Sequence, residues 1–117
     1  MAAALVALLG IVVIARLADA ATAPAPATVV ALTAQRFAYA PETIIAKVGV
    51  PLVLEITALD HDHGFNLPAF GVRADLKAGT TTRVEIVPDR IGSFAFHCDV
   101  FCGDGHEEMT GTLHVVE

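Results

Sequence analysis

From Thr28 onward the chain alternates short apolar or β-branched runs with turn signals, and that pattern leaves few folds open. Thr28 to Thr33 is β-branched and apolar, Ala40-Pro41-Glu42 breaks the chain, and Thr43 to Val48 resumes it. After the Gly49-Val50-Pro51 turn, Leu52, Leu54 and Ile56 alternate with Val53, Glu55 and Thr57, the period of a strand with one buried face. Lys77-Ala78-Gly79 turns, and Val84 and Ile86 alternate with Arg83 and Glu85. A turn at residues 88–92 follows; Phe94, Phe96 and Cys98 then share one face of a strand, with Ala95 and His97 on the other. Thr110 to Val116 forms the last strand, and nothing after residue 28 carries a helical stripe. About seven strands at this spacing predict an all-β fold, an antiparallel sandwich.

The strands occupy only part of the 117 residues. Residues 2–15 carry no charge and precede Arg16 and an Ala18-Asp19-Ala20 cleavage signal. Fourteen helical residues span roughly 21 Å, short of a ~30 Å hydrocarbon core. Residues 1–20 therefore read as a signal peptide, or alternatively as an N-terminal membrane anchor extended through Ala21. Either reading puts the domain outside the cytoplasm, in the periplasm or its equivalent. Residues 21–27, ATAPAPA, read as an extended Ala/Pro linker, and the domain as residues 28–117. Seven basic residues face thirteen acidic ones, a formal net charge of −6. That balance excludes nucleic acid as a partner and permits a basic protein.

The chemistry is concentrated near the C-terminus. Cys98, Cys102, His106 and Met109 place two thiols, an imidazole and a thioether within twelve residues. Soft sulfur ligands select Cu(I), imidazole also suits Cu(II), and thioether is a familiar weak ligand for copper but not for zinc, magnesium or calcium. Gly103 and Gly105 allow a tight curl before His106. A distant partner is needed, and His63, in Asp60-His61-Asp62-His63-Gly64-Phe65, is the candidate. A mononuclear site would use one Cys, two His and a weak Met; the second Cys is then surplus and exposed to oxidation unless it bridges a second metal.

The pattern C-x3-C-x3-H-x2-M, with D-x-x-H-G-F upstream and Gly71-Val72-Arg73-Ala74-Asp75 between, resembles the binuclear copper (CuA) domain of cytochrome c oxidase subunit II and nitrous oxide reductase. The resemblance covers about residues 35–117 and implies a cupredoxin-like Greek-key β-sandwich. It further implies two copper ions bridged by Cys98 and Cys102, with His63 on one and His106 on the other. Met109 would be a weak ligand, and the backbone carbonyl of Val100 the sixth, at a position where the family usually carries Glu or Gln. The chain also lacks the Trp that often follows the first His in oxidases; Phe65 stands nearby.

These readings predict an exported electron-transfer protein with no enzymatic site of its own. It would relay single electrons between a donor such as a c-type cytochrome and a terminal oxidase or reductase. Copper delivery or storage and a mononuclear cupredoxin are the alternatives, and a structural disulfide between Cys98 and Cys102 is the plainest one. His61 is expected at the surface beside the site, His97 at the surface or just behind the ligands, and His114 in a structural role. Phe65, Phe70, Phe94, Phe96 and Phe101 are expected mainly in the core, with Phe65 and Phe101 shielding the centre. Six acids in the two loops, Asp60, Asp62, Asp99, Asp104, Glu107 and Glu108, predict a negative rim that attracts a basic carrier.

Overall fold

A computed structural model describes residues 26–117. The signal or anchor and most of the Ala/Pro linker lie outside the described residues. Among the described residues there are nine strands: β1 (Thr28–Gln35), β2 (Ala38–Ala40), β3 (Thr43–Lys47), β4 (Leu52–Ala58), β5 (His63–Leu67), β6 (Val72–Leu76), β7 (Thr81–Ile86), β8 (Gly92–His97) and β9 (Thr110–Val116). Helical structure there is limited to two 3₁₀ turns, Pro68–Phe70 and His106–Glu108. No helix among the described residues is long and apolar enough to cross a membrane.

The strands form two sheets, in the orders β2-β1-β4-β7 and β3-β9-β8-β5-β6. Their inner faces carry the alternating apolar residues anticipated from the sequence. Leu32, Leu54 and Ile56 from the first sheet meet Phe65, Leu67, Phe96, Leu113 and Val115 from the second, all essentially inaccessible to solvent. Each such side chain contributes on the order of 1.5–3 kcal/mol by leaving water. The sandwich is all-β as expected, but it is not wholly antiparallel. β1 runs parallel to β4, with Leu32 opposite Ile56, and β3 runs parallel to β9, with Ile44 opposite Leu113. Both parallel pairs join strands distant in sequence, so no hairpin turn announces them. β2 and β3 flank the Pro41 break and belong to different sheets, so the break carries the chain from one layer to the other.

This topology gathers four chain segments at one end of the sandwich. They are the β1–β2 turn at Arg36-Phe37, the β4–β5 loop, the start of β5 at His63, and the long β8–β9 loop spanning residues 98–109.

Candidate metal centre

His63 is the first residue of β5, paired with Leu76 of β6, and its side chain turns inward among the core residues. Cys98 follows the last residue of β8, and its N–H donates to the Met109 carbonyl at 3.1 Å, which closes the base of the β8–β9 loop. Inside the loop, Gly103 and Gly105 have φ of +130° and +103°, a region that side chains with a Cβ rarely adopt. Those turns lead into the 3₁₀ turn that carries His106. His106 N–H bonds the Gly103 carbonyl and Met109 N–H bonds that of His106, both at 3.1 Å.

The folding brings one ligand atom each from His63, Cys98 and Cys102 within 4.8 Å of one another, and all three residues are buried. The two sulfurs are 3.9 Å apart and not bonded. His106 Nδ1 lies 3.5 Å from the Cys102 sulfur, on a half-buried ring. The Val100 carbonyl accepts from the Cys98 thiol at 3.1 Å. Met109 is fully buried where the loop rejoins β9.

Polar groups around these donors fix their orientation. Asp60 Oδ1 accepts from His63 Nε2 at 2.8 Å. That bond leaves Nδ1 as the lone-pair nitrogen, and Nδ1 is buried without a hydrogen-bond partner among the described residues. A buried ring nitrogen left unpaired is costly unless it binds something, and a carboxylate behind the opposite nitrogen is the usual support of a metal-binding histidine. Burial opposes ionisation of Asp60, but bonds from the Arg36 N–H, His63 and the His61 N–H outweigh it and hold the carboxyl down at about 2. Gly64 N–H donates to the Cys98 sulfur at 3.3 Å, and the Gly64 carbonyl accepts from the Tyr39 hydroxyl at 2.6 Å. Burial, and then the neighbouring Cys98 sulfur, push the Cys102 thiol up to about 11. Without a cation the Cys102 sulfur stays protonated at neutral pH, so a metal must displace that proton to bind. Two thiols and two imidazoles with a buried thioether at hand suit copper better than a hard cation.

The structure therefore brings His63, Cys98, Val100, Cys102 and His106 together and buries Met109 at the foot of their loop. His61 is half-buried, its ring centroid 6.5 Å from that of His63. His97 is the half-buried last residue of β8, and His114 is exposed and bonded to Ser93 Oγ at 2.6 Å. Phe65 is buried as expected. Phe101 departs from expectation: it is 75% exposed, with its ring centroid 5.9 Å from that of His106, because the loop turns it outward while Cys102 turns in. It shares a surface depression of about 350 Å³ with Asp104, His106 and Glu107. Three contributors had no visible signal in the sequence, Arg36, Phe37 and Tyr39. All come from the β1–β2 hairpin, more than twenty residues from either loop motif, and reach the site only through the fold.

Known proteins share this fold. Residues 4–115 match the cupredoxin-like domain family. Cytochrome c oxidase subunit 2 of Thermus thermophilus is 33% identical over 81 residues, covering 69% of this chain and 60% of that protein; the chain spans less than two thirds of that relative's length. The periplasmic domain of subunit II of cytochrome oxidase from Bradyrhizobium japonicum superposes with a TM-score of 0.70 at 22% identity, covering 76% of this chain and 83% of that one. A copper binding protein solved in its apo form superposes with a TM-score of 0.65 at 28% identity, covering 77% and 88%. With its two-sheet sandwich and donor-bearing β8–β9 loop, the chain belongs to the family of cupredoxin-like domains, and its sequence is homologous to the soluble domain of cytochrome c oxidase subunit II.

Proposed function

We propose that the domain, residues 28–117, is a one-electron carrier built around a binuclear copper centre. Its ligands would be His63, Cys98, the Val100 carbonyl, Cys102, His106 and Met109. The observation that carries this reading is the pair of buried, unbonded sulfurs 3.9 Å apart. One imidazole stands beside Cys102, and another buried imidazole clusters with both sulfurs. A single-copper site has no use for the second sulfur at that position. Copper supplies the one-electron couple. The chain's part is to hold donors of mixed softness in one geometry, so that little must move when the charge changes.

Each supporting group has a role in that task. Asp60 fixes the His63 tautomer and ring plane. The Gly64 N–H stabilises negative charge on the Cys98 sulfur. Phe65 and Met109, both inaccessible to solvent, keep water away from the inner side. Phe101 and the half-buried His106 ring form the exposed edge, where a partner can approach closest. Asp104, Glu107 and Glu108 line that edge with negative charge, which favours a basic redox protein such as a c-type cytochrome as donor. The acceptor would be a terminal oxidase or reductase. The apolar run at residues 2–15 and the Ala18-Asp19-Ala20 signal support a position outside the cytoplasm, after cleavage or on an anchor.

Electron paramagnetic resonance of the copper-loaded protein tests the centre. One electron shared by two copper nuclei gives a hyperfine pattern distinct from one confined to a single copper. Cys102→Ser is expected to abolish the shared pattern, and an unchanged spectrum would refute the bridging role. Copper delivery is the competing reading, favoured by the similarity to the copper binding protein. Transfer of copper to a chelator within seconds would support delivery, and retention for hours would support electron transfer.

A further inference from the structure

Between Asp99 and Cys102 the β8–β9 loop makes no backbone–backbone hydrogen bond among the described residues. This stretch, which holds one sulfur and the Val100 carbonyl, is fixed from outside. At one end Arg73 grips the Asp99 carboxylate with Nε and Nη2 at 2.7 and 3.0 Å. At the other end Arg36 Nε donates to the Cys102 carbonyl at 2.8 Å. Arg36 also acts through its main chain, because its N–H donates to Asp60 Oδ2 at 2.9 Å, and Asp60 holds His63. The next residue, Phe37, lays its ring against the two glycines of the loop. A Cβ added at Gly103 or Gly105 would lie 3.3 or 3.0 Å from that ring. A two-residue turn between β1 and β2 thus touches both ligand-bearing segments, although it supplies no ligand.

We propose that Arg36 is a positioning residue, a latch that ties the Cys102 segment to the His63 segment before any metal arrives. Its side chain sets the Cys102 carbonyl and its backbone sets Asp60, so one residue fixes the relative placement of the two halves of the donor set. The purpose of the latch rests on the copper reading, but its existence does not. Arg36 is exposed, so its removal leaves no hole in the core.

The latch is tested on the metal-free, full-length protein by amide hydrogen exchange. The His106 and Met109 amides report loop opening, because both bond within the loop. The Leu54 and Ile56 amides of β4 serve as reference. Arg36→Met carries the side chain as far as the Nε position but has no donor there. It is expected to speed exchange at His106 and Met109 by roughly five- to tenfold and leave the β4 amides unchanged. Arg36→Gln places an amide nitrogen at the same chain position as Nε, without the charge. It is expected to restore exchange to within about twofold of the parent. Parent-like exchange in Arg36→Met would overturn the latch, and so would an Arg36→Gln protein as fast as the Met variant, since charge and not the hydrogen bond would then be responsible. Failure of the parent to bind copper would instead strike at the metal reading alone.

Discussion

Tyr39 is the chain's one tyrosine, and the chain has no tryptophan, so its ionisation can be followed without interference. Its ring packs edge-on against Phe96, with centroids 5.0 Å apart, and its hydroxyl holds the Gly64 carbonyl. Burial, and then the nearby Cys98 and Asp99, raise its ionisation far above that of a free phenol. An unfolded tyrosine loses its proton near pH 10. Above that pH the unfolded state binds fewer protons than the native one, so stability falls as pH rises, by up to about 1.4 kcal/mol per pH unit. The expected result is that tyrosinate absorbance appears only together with unfolding. In Tyr39→Phe the tyrosine's share of this alkaline loss should vanish, leaving that of the raised Cys102 thiol, while stability at neutral pH drops by about 1–2 kcal/mol because the Gly64 carbonyl loses its donor. Chemical denaturation across pH 7–11 measures both effects. Nothing in the sequence around Tyr39 marks it; its importance comes from Gly64, twenty-five residues away.

At the level of elements, β8 and β9 set the frame of the site, and their contact is unusually intolerant. Gly111 of β9 pairs with Phe96 of β8. A Cβ at Gly111 would run into the Phe96 ring and lie 2.8 Å from the Glu42 carbonyl. The ring cannot yield, because Tyr39 and Phe65 enclose it. Gly111→Ala should therefore cost about 1–3 kcal/mol by overpacking, read as a Tm fall on the order of 4–8 °C per kcal/mol. A Tm within 2 °C of the parent, an interval well below that range, would show that the sheet can open locally. The strands themselves were legible in the sequence wherever apolar residues alternated, as in β4 and β8. β2, β5 and β6 were not. Each is short, and β5 (HGFNL) is buried nearly throughout, so no alternation marks it.

The whole molecule carries a charge of −6, with six of its thirteen acids in the β4–β5 and β8–β9 loops. If the edge at Phe101 and His106 receives a basic electron carrier, association should be fastest at low ionic strength and slow as salt screens the rim. Stopped-flow electron transfer with a cationic redox protein is expected to slow by about tenfold between 10 and 200 mM salt. Phe101→Ala should lower the rate further without changing stability, since three quarters of that side chain is already in water. A rate indifferent to salt would move the docking surface elsewhere.

The sequence alone determined the kind of fold and singled out the proposed donor residues. Ligand chemistry resides in residue types at close spacing, and the period of two along a strand is local. Which strands run parallel, that Phe101 faces water, and that Arg36, Phe37 and Tyr39 hold the site were decided only by tertiary structure. Those facts depend on segments far apart in the chain that meet when the two sheets close over their shared core, and no local pattern encodes such a meeting.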